Sequence, residues 1–192
     1  MQNLVSVLQF LIDILLTSFI SLLLMRLLLQ WVRADFYNPL CEFIIKITNP
    51  VLIPVRRYMP GVMGIDWATI LVIFVASLVN QVFVVLLGSL VLKSVTGILL
   101  LTVADILKLT YYIYLFSVVA LMFTSWFTPG SPNPMLQPLA QLLRTPLSLI
   151  RRYVKPISGF ELSSFVLILI LVIINMLLIH PIRSAGISML IS

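Results

Sequence analysis

Four stretches of this chain are each apolar for about twenty residues, and that fixes the solvent they fold in. They run from about Leu4 to Leu29, from Trp67 to Val91, from about Leu99 to Phe123, and from Leu162 to Ile179. In a bilayer each backbone polar group must be satisfied within its own segment, so each stretch is expected to be a helix. Hydrophobic residues make up 61% of the chain and charged residues 9%, against roughly 45–50% and 25% in a soluble domain. The excess apolar surface has to face lipid. The third stretch has the least definite ends, because the apolar run from Val95 to Phe127 exceeds one span and carries Asp105 and Lys108. The N-terminus lacks a basic leader region and a small-residue cleavage site, so it reads as a retained span.

Eleven prolines all fall outside these four stretches, as expected of residues that lack an amide donor and clash with the preceding turn. Trp31, Trp67 and Trp126 lie at span edges, where an indole suits the headgroup region. Arg26, Arg33, Lys46, Arg56 and Arg57 lie in or beside the first long loop, and Arg144, Arg151, Arg152 and Lys155 in the second. Basic residues near span ends favour the cytoplasm. The expected topology therefore has both long loops cytoplasmic and both termini periplasmic, in a bacterial inner membrane.

The two long loops also resemble each other. "IPVRRYMPGVMGID" begins at Ile53 and "LIRRYVKPISGFE" at Leu149. At a shift of 95 residues Trp31 falls on Trp126 and Asn38-Pro39 on Asn133-Pro134. At the same shift Arg56-Arg57-Tyr58 falls on Arg151-Arg152-Tyr153, Gly64 on Gly159, Asp66 on Glu161 and Asn80 on Asn175. No gap is needed. The chain is therefore expected to be two tandem units, residues 1–94 and 95–192, each of span, amphipathic loop and span. Two spans per unit is an even number, so the copies share one orientation as parallel repeats.

Within the first loop Asn38 suits a helix N-cap and Pro39 the first helical position. Leu40, Phe43, Ile44 and Ile47 follow the spacing of one helix face, with Glu42 and Lys46 on another. A second proline-led segment, Pro50 to Tyr58, follows; its counterpart is Pro146 to Tyr153. The expected fold class is an all-α membrane protein with four transmembrane helices in two tandem parallel repeats, each with a short interfacial helical hairpin.

The stretch "LLLQWVRADFYNPLCEFIIKITNPVLIPVRRYMPG", with its weaker second copy, resembles the signature of the YggT family, or YGGT repeat family, of small bacterial and plastid membrane proteins. The resemblance implies a multi-pass inner-membrane protein. Bacterial members of that family are linked to osmotic tolerance and ion uptake. Photosynthetic relatives are linked to organisation of division or nucleoids and to haem attachment in a b-type cytochrome complex. The family offers no agreed catalytic residues to transfer.

Asp13 falls on Lys108 at the same 95-residue shift, and Asp105 precedes Lys108 by three residues on one helix face. A mid-membrane charge costs about 2.5–3.5 kcal/mol, which opposite charges offset in part. Asp13, Asp105 and Lys108 are therefore expected to form a buried polar cluster, either as an ion or proton path or as glue that sets helix register. Asn80 and Asn175 are expected either to make interhelical hydrogen bonds or to form a symmetric polar site on the axis. Arg56, Arg57, Tyr58, Arg151, Arg152 and Tyr153 are expected to grip anionic lipid headgroups or a membrane-protein partner, with Asp66 and Glu161 pairing back onto the arginines.

His180 is the single histidine, one ligand short of a two-histidine haem site; Cys41 is the single cysteine and reads as a packed thiol. No cofactor, no metal and no nucleic-acid partner is expected, and no phosphate loop, zinc motif or nucleophile set is present. Enzymatic activity is not expected. The leading functional expectation is a structural or assembly module at the membrane, with a homo-oligomer or protein partner. The alternative is ion or osmolyte uptake in osmotic tolerance, using the buried charges.

Overall fold

The computed structural model describes residues 2–59, 61, 64–87, 94–127, 134–153 and 162–191. They form α1 (Gln2–Trp31), α2 (Pro39–Tyr58), α3 (Trp67–Leu87), α4 (Val95–Phe127), a 3-10 turn (Pro134–Leu136), α5 (Gln137–Arg151), α6 (Leu162–Ile174), a π-helical turn (Asn175–Ile179) and α7 (His180–Ile191). Four helical stretches are long and apolar enough to cross a membrane: Ser6–Trp31, Trp67–Leu87, Val95–Ser125 and Leu162–Ile191. The long apolar run of the third stretch is one helix of 33 residues, about 50 Å at 1.5 Å per residue. It exceeds the thickness of a bilayer core, about 30 Å.

Each repeat supplies one elbow helix, α2 or α5, between its two spans. Asn38 caps α2, its side-chain oxygen accepting from the Leu40 amide at 3.0 Å, with Pro39 at the first helical position as expected. The expected hairpin is absent in both repeats. α2 is one helix of 20 residues that runs through Pro50 and Pro54, and α5 runs through Pro146. Pro50 and Pro54 are four apart and exposed, so the carbonyls they leave unbonded lie on the outer face. The buried stripe of α2 is Cys41, Ile44, Thr48 and Leu52. Phe43, Ile47 and Val51 face outward instead, which gives α2 a second apolar face toward lipid.

The elbows meet at one end of the bundle. The Asn38 side-chain amide donates to the Pro134 carbonyl, and Leu139 of α5 joins Met25, Leu29, Ala34, Cys41 and Ile44 in one apolar cluster. Entry into the first elbow is a Schellman turn: the Arg33 amide bonds Gln30 and the Ala34 amide bonds Leu29. Arg33 takes φ 52°, a left-handed position usually given to glycine.

The fourth span differs from expectation at its far end. It does not stop at Ile179: the helix widens by one π turn, in which the His180 amide bonds the Asn175 carbonyl, and continues through Pro181 to Ile191. Local widening of this kind accommodates a proline that cannot make the regular bond. α7 then packs closely on α4. A Cβ on Gly97 would lie 3.1 Å from the Gly186 carbonyl oxygen, and one on Gly186 would lie 2.9 Å from Leu101. These two glycines let the helices touch at backbone distance.

Candidate functional site

α1, α3, α4 and α7 line a partly open cavity of about 270 Å³ in the span region. Its position follows from helix geometry. Asp13 lies 18 residues before the end of α1, about 27 Å from the elbow end at 1.5 Å per residue. Asn80 lies 13 residues into α3, about 20 Å from the same end. The cavity is therefore in the half of the bundle away from the elbows. Between it and the elbows along α1 lies an apolar cluster of Ile20, Leu23, Leu24, Leu52 and Ile73.

Asp13, Asp105, Lys108 and Asn80 all line this space, as expected of the polar cluster. The contacts among them are less simple than opposed charges. Asn80 Nδ2 donates to Asp13 Oδ1 at 2.9 Å, and Thr17 Oγ1 reaches the same oxygen at 3.4 Å. Gln81 donates to Asp105. Lys108 Nζ lies over the Tyr112 ring at 5.6 Å, a cation–π contact, and forms no ion pair with Asp13. Asn175 is not among the lining residues; it begins the π turn of the fourth span. The two equivalent asparagines thus do not form a shared axial site.

Among the lining residues that the sequence did not single out are Thr17, Ser77, Gln81 and Arg183. Two of them share faces with recognised residues, Thr17 four after Asp13 and Ser77 three before Asn80, so the signal was present. Arg183 lies four residues past Ile179, where the apolar stretch ends in the sequence, and only the continued helix brings it to the cavity.

The elbow region holds a second polar set. Arg26 is 6% exposed, and its guanidinium donates to Thr48 Oγ1 at 2.5 Å and Asn49 Oδ1 at 3.0 Å. Counting it only as a loop-border charge missed this burial. Arg56 pairs with Asp66, as expected. Asp66 also caps α3, accepting from the Thr69 amide at 3.2 Å and the Thr69 hydroxyl at 2.6 Å. Burial pushes the Asp66 carboxyl upward, but the Arg56 and Thr69 hydrogen bonds and the Arg56 charge outweigh it and hold it below the usual range. The expected Glu161 partner, with Lys155 and Gly159, lies outside the described residues.

Arg57, Tyr58, Arg151, Arg152 and Tyr153 are exposed, Tyr58 at 87% and Tyr153 at 88%. Cys41 is buried; burial and then the charge of Asp35 push its thiol upward, which suits a packed thiol. No group of three or more metal-ligating side chains occurs among the described residues.

The family described as CCB3/YggT matches residues 5–87 and again residues 100–182, two equal stretches at the 95-residue offset. The chain belongs to the CCB3/YggT family. Among its relatives, an uncharacterised protein of Pseudomonas aeruginosa is 33% identical over 163 residues, 84% of this chain and 83% of the relative. The uncharacterised protein YggT of Escherichia coli K12 is 31% identical over 182 residues, 93% of each chain. A Vibrio alginolyticus protein described by its place in the proC 3' region is 33% identical over 171 residues, 88% of this chain and 92% of the relative. No solved structure matches. The names of these CCB3/YggT relatives assign no reaction, and nothing in them indicates an enzyme.

Proposed function

We propose that this CCB3/YggT protein serves ion or osmolyte homeostasis at a bacterial inner membrane, with the cavity between α1, α3, α4 and α7 as its working part. One observation carries the reading. Two carboxylates, a lysine and an arginine line a space in the spans, where each charge costs about 2.5–3.5 kcal/mol. Glue that only set helix register would hydrogen-bond its polar groups to one another. Here Ser77 Oγ and Asn80 Oδ1 are buried in cavity-lining residues without a protein partner. The basic elbows favour the cytoplasm, which puts both termini in the periplasm. The test is ion flux from liposomes holding the purified chain. Protein-dependent flux that falls in Asp13→Asn and Lys108→Met supports the reading; flux equal to empty liposomes overturns it.

A second reading rests on the elbows. Arg57, Tyr58, Arg152 and Tyr153 are exposed at the ends of α2 and α5. They suit anionic headgroups or a membrane-protein partner, including another copy of this chain, and would make the protein an organising module. This reading expects Arg57→Ala with Arg152→Ala to release anionic lipid from the purified protein while leaving flux unchanged.

A further inference from the structure

We propose that the α1–α3 wall of the cavity is a binding site for an alkali-metal cation, held by the Asp13 carboxylate, the Thr17 and Ser77 hydroxyls and the Asn80 side-chain oxygen. The inference rests on the cavity reading above and adds the ligand class and the donor atoms.

Ser77 is the first reason. Helical serines and threonines ordinarily return their hydroxyl to the carbonyl four residues back. Ser18, Ser21, Thr48, Thr102, Thr110, Ser117 and Thr124 all do so here. Ser77 does not, although it is 3% exposed and lines the cavity. Leaving a buried hydroxyl unpaired costs free energy that a ligand would recover.

Asn80 is the second. It is 6% exposed, and its amide nitrogen donates to Asp13. A carboxylate only accepts, so this contact settles the amide orientation and leaves Oδ1 without a donor. Ser77 and Asn80 are three apart on α3, and Asp13 and Thr17 are four apart on α1. Each pair therefore shares a helix face.

Charge and donor type select the occupant. All four donors are oxygens, which suit a hard cation. Among the described residues Asp13 forms no ion pair; its contacts there are to the neutral Asn80 amide and Thr17 hydroxyl. The other carboxylate, Asp105, is served by Gln81 and by the charges of Arg183 and Lys108. The four charged lining residues, Asp13, Asp105, Lys108 and Arg183, sum to zero, so a monovalent cation set beside Asp13 adds a single positive charge. A divalent cation would add two in the same low dielectric, and an anion would meet Asp13 directly.

The test is equilibrium binding of radioactive sodium, and separately rubidium as a potassium probe, to the purified full chain in nanodiscs with choline as the background cation. Saturable binding of one ion per chain is expected in at least one arm, and the two arms identify the ion. Asp13→Asn is expected to abolish it. Ser77→Ala, which removes no internal hydrogen bond, is expected to weaken it about 2- to 10-fold. A cavity that holds only water would show no saturable binding, and that outcome overturns the proposal, as does unchanged affinity in Ser77→Ala. Flux without such binding overturns this site alone, whereas binding without flux overturns the transport reading alone.

Discussion

Arg26 and Leu121 occupy the same place in the two repeats, and so do Thr48 and Leu143. In the first repeat the buried guanidinium donates to Thr48 and Asn49. In the second, Leu143 is fully buried with Val118, Ile150 and Leu167, and Leu121 packs against them. One arrangement of span and elbow helix thus accepts either a hydrogen-bonded cation or a plain apolar contact. The same divergence appears at the cavity. Thr17, Ser77 and Gln81 correspond to Tyr112, Val172 and Met176, while Asn80 keeps an asparagine, Asn175, that lies elsewhere. Among the described residues, the elbow contacts of Arg26 with Thr48 and of Arg56 with Asp66 both belong to the first repeat. That agrees with the general finding that a buried polar set adds little net stability over apolar residues of similar volume, although breaking half of it is costly.

The largest expected effect tests the Arg26 and Leu121 contrast directly. Thr48→Leu alone strands the buried guanidinium with one acceptor fewer and is expected to cost about 2–3 kcal/mol, read as a lowered unfolding midpoint in detergent. Adding Arg26→Leu imports the second repeat's pair and is expected to recover most of that loss. A double variant no more stable than Thr48→Leu would break the equivalence of the two elbows.

A smaller effect is expected at Asp66, whose counterpart is Glu161. Asp66→Ala removes the α3 cap and the Arg56 partner, for about 1–2 kcal/mol, with faster hydrogen exchange in the first turn of α3. The folded carboxyl titrates below its unfolded value. Its contribution is thus complete above the ordinary carboxylate pKa of about 4 and disappears as pH falls through the lower folded value. The wild-type advantage over Asp66→Ala should accordingly shrink only in acid. An advantage that grew in acid would contradict the ion pair.

The smallest expected change is a gain. Arg33→Gly relieves the left-handed arginine at the entry to the first elbow and should raise stability by about 0.5–1 kcal/mol. A loss would mean that the Arg33 side chain contributes more than its backbone strain costs.

Much of the architecture was legible because lipid simplifies the problem. Twenty apolar residues have one way to satisfy their backbone, and Asn38-Pro39 marks a helix start by local chemistry. Proline was the misleading signal. Pro50, Pro54 and Pro181 suggested breaks, yet the helices continue, because exposed carbonyls or a π turn absorb the missing bond. Arg183 lies past the apolar stretch, and only the continued helix brings it to the cavity. Arg26 was counted as a surface charge because nothing nearby in the chain reveals that Thr48, 22 residues on, will meet it.

The order of residues alone determined four spans, two tandem copies and the grouping of Asp13, Asp105 and Lys108, since periodicity and the cost of charge in lipid act along the chain. Only the folded bundle decided that Lys108 turns to Tyr112, that Asn175 stays out of the cavity, and that Ser77 and Asn80 keep buried, unpaired oxygens in the residues that line it. Those outcomes depend on which helix faces approach one another, and that is set by packing between segments far apart in the chain.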